Sequence, residues 1–291
     1  MTSFAQAPSK IPIDRHIYHA STDDLYAECA QEMSRTMVKY KAGDRKIDAG
    51  CDLFSLGERR NTIFYLVNGW VALYKLHEDG RRQILHFALP GAVLAFFPGQ
   101  VMTYSAQALT SAIVSVIPHR NLYSVFRDDP EIGMRLASLV SSDRNLAYDH
   151  LFAIGRQSAR ERVAHLLLEL FIRYRMQWPG HCIEDMHLPL TQEHIGDATG
   201  LSSVHVSRVL RNLGKDGIVE FHYKRLRILN PDKLIDVAGI DPHIALSWVK
   251  DVPSINATAG HQAATNIPIA VRIKQIVTVR FSRHSEWRGK Q

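Results

Sequence analysis

Apolar positions along this chain change period twice. Residues 1–20 mix Pro, Ser, Ala and charge without repeat and read as a flexible lead. Residues 23–40 then predict a short helix, with Leu25, Cys29, Met33 and Met37 four apart. From Lys46 onward, short apolar blocks alternate with glycine turns. Residues 63–67 (IFYLV) read as a strand, Asn68-Gly69 as a tight turn, and residues 70–74 (WVALY) as the return strand of a hairpin. Glu78-Asp79-Gly80 leads into residues 83–87. Pro90-Gly91 and Pro98-Gly99 punctuate the next stretch, and residues 105–117 are strand-like again. Such spacing predicts an antiparallel β-roll or sandwich rather than a parallel sheet.

The pattern then turns helical. Residues 119–126 form one short helix, and Pro130 suits the first position of the next. Ile132, Leu136, Leu139, Asp143, Leu146, His150 and Ala153 step by 4, 3, 4, 3, 4, 3, an a/d heptad. A strand domain cannot bury such a stripe alone, so the expected partner is the same helix of a second chain, with Asp143 and His150 fixing register. The competing reading is that the helix covers the sheet of its own chain. Gly155 is the expected break, and residues 160–174 read as an amphipathic helix with Val163, Leu167, Leu170 and Phe171 on one face.

Residues 190–230 carry the most specific signal. Thr191 is a good N-cap for a helix over residues 192–199, Gly200-Leu201-Ser202 makes a tight turn, and Ser202 or Ser203 caps a second helix running to about Leu213. Gly217 suits the left-handed conformation that stops it, and residues 218–221 and 224–229 read as a two-stranded wing. Ile195, Leu201, Val206 and Val209 are apolar where the two helices pack, and Gly196 is small where they cross. This is the spacing of a helix-turn-helix, whose second helix enters the major groove. Ser203, Val204, Ser207, Arg208 and Arg211 then project outward. Arginine reads guanine, and hydroxyls suit phosphate or base edges. From His205 to Asn230, six basic residues (Arg208, Arg211, Lys215, Lys224, Arg225, Arg227) stand against Asp216 and Glu220. That is a positive footprint for phosphate. A three-helix module contacting protein is the competing reading.

The block LTQEHIGDATGLSSVHVSRVL over residues 190–210 resembles the effector end of the cyclic-AMP receptor protein and fumarate–nitrate regulator family. The resemblance extends over roughly residues 30–236. It implies an α+β chain divided into a lead (1–22), a cyclic-nucleotide-binding type β-roll sensor (23–128), a dimerisation helix (129–155), a winged helix-turn-helix (156–236) and a basic extension (237–291). It further implies a homodimeric transcription regulator that binds double-stranded DNA through Thr191, Ser202, Ser203, Val204, His205, Ser207, Arg208, Arg211, Lys224 and Arg225. RNA polymerase is an implied partner. Family members read bases mainly at three positions, which fall here on Ser203, Val204 and Arg208. Val204 stands where many members have glutamate, and Ser203 where the cyclic-AMP branch has arginine, so the expected half-site differs from theirs. A valine cannot accept from cytosine, but it packs on a thymine methyl.

Departures in the sensor matter as much. The cyclic-AMP branch holds the nucleotide with a Gly-Glu pair and an Arg-Ser or Arg-Thr. Residues 90–106 here contain no glutamate and no arginine, and Tyr104-Ser105 stands where Arg-Ser would be. Burying a cyclic phosphate without a cation costs several kcal/mol, so cyclic AMP is not the expected ligand. Three scattered cysteines, Cys29, Cys51 and Cys182, are too few for a four-cysteine iron–sulfur cluster or a zinc site, and no other metal set is evident. His77, His86 and His150 are candidate haem ligands, although each reads equally as an ordinary surface or core histidine. A regulator controlled only by its own abundance also remains open.

Composition adds bounds. The length of 291 residues and 46% apolar content suit two cores, and the net charge of +6 allows a polyanion. No secretory signal and no apolar span of membrane length stands out, so a cytoplasmic protein is expected. No Ser/His/Asp, paired-carboxylate or P-loop spacing points to an enzyme. Beyond residue 250, six Lys and Arg oppose Asp251 and Glu286, which reads as a solvated tail or an extra phosphate-contacting arm.

Overall fold

The computed structural model describes residues 37–96, 101–176 and 185–240. The expected helix over residues 23–40 lies outside them except for a 3₁₀ turn, Met37–Lys39, and the basic extension lies outside them beyond residue 240.

Among the described residues, eight strands form the N-terminal roll: β1 Gly43–Ile47, β2 Asp52–Phe54, β3 Thr62–Asn68, β4 Val71–Leu76, β5 Arg82–Ala88, β6 Val93–Leu94, β7 Ser105–Ala108 and β8 Ala112–Pro118. They make two antiparallel four-stranded sheets, ordered β1-β8-β3-β6 and β2-β7-β4-β5. The expected hairpin at Asn68-Gly69 is therefore not one, because β3 and β4 lie in different sheets. Gly69 instead turns a corner between them at φ 90°, and a Cβ there would sit 2.6 Å from the Ser111 carbonyl oxygen. The true hairpin is the next one, where β4 pairs with β5. Likewise residues 105–117 are two strands, and a turn carries the chain from one sheet to the other.

After α1 (Arg120–Asp128), Pro130 opens α2 (Pro130–Arg156) at its first turn. Helix α2 runs through Gly155, and the chain breaks at Gln157, whose backbone is extended. Helix α3 (Ala159–Met176) is not amphipathic: Val163, Ala164, Leu166, Leu167, Leu168, Leu170, Phe171 and Ile172 are all buried. Its apolar positions run right round because one continuous core joins Trp70, Ile84 and Phe87 of the roll, α3, and the C-terminal helices. Those are α4 (Gln192–Thr199), α5 (Ser203–Lys215) and α6 (Pro231–Ala238). The wing has three strands, not two: β9 Asp185–His187, β10 Val219–His222 and β11 Arg225–Ile228, in the order β10-β11-β9.

Candidate nucleic-acid interface

Local chemistry builds the reading head. The Thr191 side chain accepts from the His194 amide at 3.1 Å, and the His194 ring accepts from the Thr191 amide, closing a capping box at the start of α4. Gly200 leaves α4 at φ 69°. Gly196 is required by proximity, since a Cβ there would lie 2.5 Å from the Leu201 carbonyl oxygen. Ser202 then caps α5 by accepting from the His205 amide at 3.3 Å. Val206, Val209, Leu210 and Leu213 turn inward and are buried.

The opposite face of α5 is free. Ser203, Val204, Ser207, Arg208 and Arg211 line one surface groove together with Gln192. Gln192 was not among the residues singled out from sequence, and its place on the first turn of the first helix was the available signal. Thr191 and Ser202 serve as caps at the edge of this surface, and His205 is exposed beside it. The groove presents two guanidinium groups, two hydroxyls, an amide and one apolar patch at Val204. Asp216, one of the two acidic residues in this stretch, is paired with Arg160 at 2.6 Å. Lys224, on the turn joining β10 to β11, and Arg225, at the start of β11, stand exposed. Burial, then the charges of Lys224 and Arg225, lower the pKa of nearby His187.

The winged helix is clamped to the roll along β5. Arg82 Nε lies 2.7 Å from Asp197 and its Nη2 3.8 Å from Glu193, while Gln83 donates to the Ala198 carbonyl at 3.2 Å. Further along β5 lies a buried charge network. Arg173 donates to Glu169 at 2.7 Å and to the Phe87 carbonyl at 2.8 Å, and the other Glu169 oxygen bonds His150 Nε2. Burial opposes the charge on Glu169, but His150 and Arg173 hold its carboxyl far below the usual range. Burial also opposes charge on His150, and Glu169 overcomes it, raising that pKa. His86, 3.7 Å from Asp143, is kept neutral by burial and by Arg173, its pKa lowered to about 3. Sequence reading did not find this network, because Glu169 and Arg173 sit inside an apolar helix.

The stripe expected as a dimer seam is placed differently. Leu136, Leu146 and Ala153 are buried in their own chain, and Ile132 and Leu139 pack beside Leu136 on the roll. Asp143 faces His86, and His150 faces Glu169. The competing reading, a helix covering its own sheet, describes these seven residues. Two positions further on, Met134, Ser138, Ser141, Asn145, Tyr148, Phe152 and Gly155 repeat the same 4, 3 steps. Two residues turn a helix by about 200°, so this second stripe faces away from the core. Tyr148 is 61% exposed and its neighbour Leu151 69%.

A β-roll joined through a long helix to a winged helix-turn-helix with a cationic outer face defines a two-domain DNA-binding regulator. Residues 44–129 match the cyclic nucleotide-binding domain family, and residues 161–237 match the Crp-like helix-turn-helix domain family. The transcriptional activatory protein AadR of Rhodopseudomonas palustris is 30% identical over 64% of this chain and 77% of its own. The nitrogen fixation regulation protein FixK of Rhizobium meliloti is 30% identical over 64% and 82%. The solved structure of FixK2 from Bradyrhizobium japonicum matches with a TM-score of 0.61 at 28% identity, covering 68% of this chain and 98% of that one. The chain belongs to the CRP/FNR family of transcription regulators.

Proposed function

We propose that the protein is a sequence-specific regulator that binds duplex DNA as a homodimer, with α5 in the major groove. The observation that carries this reading is the exposed groove of Ser203, Val204, Ser207, Arg208, Arg211 and Gln192 on the free face of that helix. Arg208 is assigned to guanine and Val204 to a thymine methyl, while Arg211, Lys224 and Arg225 hold phosphate. The second copy packs on the outer face of α2 around Tyr148, Leu151 and Phe152. On this reading the protein works in the cytoplasm with its DNA, without catalysis, and recruits or blocks RNA polymerase.

The sensor domain on this reading takes no cyclic AMP. Tyr104 packs its ring on Phe54 at 5.6 Å, Phe54 stacks on Phe64 at 6.1 Å, and Ser105 Oγ accepts from the Leu56 amide at 2.9 Å. Tyr104 and Ser105, which stand where the cyclic-AMP branch has Arg-Ser, are thus engaged with the roll itself and offer no cation. Haem finds less support, because His86 lies buried beside Asp143 and Arg173, and His150 bonds Glu169. The iron–sulfur reading likewise lacks ligands, since Cys51 is exposed and far in sequence from Cys29 and Cys182.

Selection of bound duplexes from a random pool tests the function. A motif with two-fold symmetry and half-sites one helical turn apart supports it. Recovery of duplexes with no common motif overturns it.

A further inference from the structure

The wing ends in a feature that phosphate binding alone does not require. His222 pairs with Arg225 across a two-residue turn, Tyr223-Lys224. Both central residues are left-handed, Tyr223 at φ 50° and Lys224 at φ 60°. This is the geometry of a hairpin turn that favours Asn-Gly, and a bulky residue there is strained. Tyr223 is also 99% exposed, so its ring gains nothing from packing within the chain. The strained backbone costs stability and the exposed ring offsets none of it, and such strain concentrates at functional positions.

Its surroundings identify the occupant. Lys224 follows Tyr223 directly and Arg225 opens the next strand, both exposed, while Arg227 further along stands opposite Glu220. Cations beside a projecting ring fit the sugar–phosphate wall of a groove that the ring enters.

We propose that Tyr223 enters the minor groove beside each half-site, packing on deoxyribose and base edges while Lys224 and Arg225 hold the flanking phosphates. The wing thereby reads the width and amino-group content of that groove and extends the recognised sequence beyond the bases under α5. Apolar side chains in the minor groove respond to A·T against G·C content, because the guanine N2 amino group stands in their way. This inference rests on the DNA-binding reading above.

The test compares wild type, Tyr223→Asn and Tyr223→Phe on the selected duplex, with flanks carrying A·T, G·C or inosine·C pairs. Inosine lacks the N2 amino group. The wild type should prefer A·T and inosine·C flanks over G·C, and Tyr223→Phe should keep that preference. Tyr223→Asn should lose it and bind the A·T-flanked site about tenfold more weakly. Asparagine tolerates the left-handed turn, so the same variant should melt higher than wild type. Unchanged affinity and flank preference in Tyr223→Asn would overturn the contact, and a lower melting temperature would overturn the strain argument. Absence of wild-type binding to any selected duplex would instead defeat the underlying DNA-binding reading.

Discussion

Charging the two faces of α2 should give opposite results. Leu146 is 1% exposed and belongs to the core shared with α3. Removing such a leucine costs about 2.7–5 kcal/mol, and an ammonium in its place adds the penalty of a buried charge. Against a total stability of about 5–15 kcal/mol, Leu146→Lys should leave the chain largely unfolded. Leu151 is 69% exposed, so within one chain Leu151→Lys should change stability by no more than about 0.5 kcal/mol. In a two-fold dimer the side chain is lost twice. At about 1.5–3 kcal/mol per buried leucine, the dimer should weaken by about 3–6 kcal/mol, or roughly 10²- to 10⁴-fold. Sedimentation equilibrium over a concentration series, with circular-dichroism melts of the same samples, reads both effects. A folded Leu146→Lys monomer alongside a Leu151→Lys dimer of wild-type affinity would refute the assignment of faces.

Arg82→Ala should lower the melting temperature by about 2–4 °C, as a loss near 1 kcal/mol does for a chain of this size. Exchanging the charges, Arg82→Glu with Asp197→Arg, should recover most of it; no recovery would mean that the clamp is incidental. His86 is held neutral with its pKa lowered to about 3, so the unfolded chain binds a proton there that the folded chain does not. Stability should therefore fall as pH drops below 6.5, by up to about 1.36 kcal/mol per pH unit for that one proton. The lowered pKa of Glu169 adds to the loss below pH 4.5, whereas the raised pKa of His150 makes stability fall as pH rises through it. His86→Gln should flatten the acid limb in urea titrations, and an unchanged slope would contradict a buried neutral His86. Calorimetry should show no saturable binding of cyclic AMP up to about 1 mM, a limit near −4 kcal/mol. Micromolar affinity would contradict the reading that Tyr104-Ser105 gives the phosphate no cation.

Much of this was legible in the sequence, for identifiable reasons. The helix-turn-helix is local: Thr191, Gly196, Gly200, Ser202 and the inward valines all act within a few residues of one another. Long-range placement was not legible. The Asn68-Gly69 pair reads as a hairpin because that dipeptide favours one, yet the strands it joins lie in different sheets, and Gly69 packs against Ser111 and Ala112, far along the chain. The heptad on α2 is legible, but the sequence does not show that its own chain buries Leu136, Leu146 and Ala153. A stripe that is apolar enough to be obvious can be the one that its own chain buries, and the outer stripe, with Ser138, Ser141 and Asn145, is too polar to stand out. Strand β9 went unread, although Met186, Leu188 and Leu190 alternate and are all buried.

Arg208 of α5 is assigned to a base and Arg225 of the wing to the backbone. That assignment is tested most directly by titrating Arg208→Ala and Arg225→Ala on the selected duplex and on random duplex at several salt concentrations. A bidentate arginine–guanine contact contributes about 1–3 kcal/mol and is made twice per dimer. Arg208→Ala should therefore weaken the selected site roughly 30-fold or more while leaving random duplex almost unaffected. Arg225→Ala should weaken both alike and flatten the salt slope by about one unit per subunit. Equal losses on both duplexes for Arg208→Ala, with the specificity ratio unchanged, would make Arg208 a backbone anchor and contradict the assignment of α5 as the reading helix.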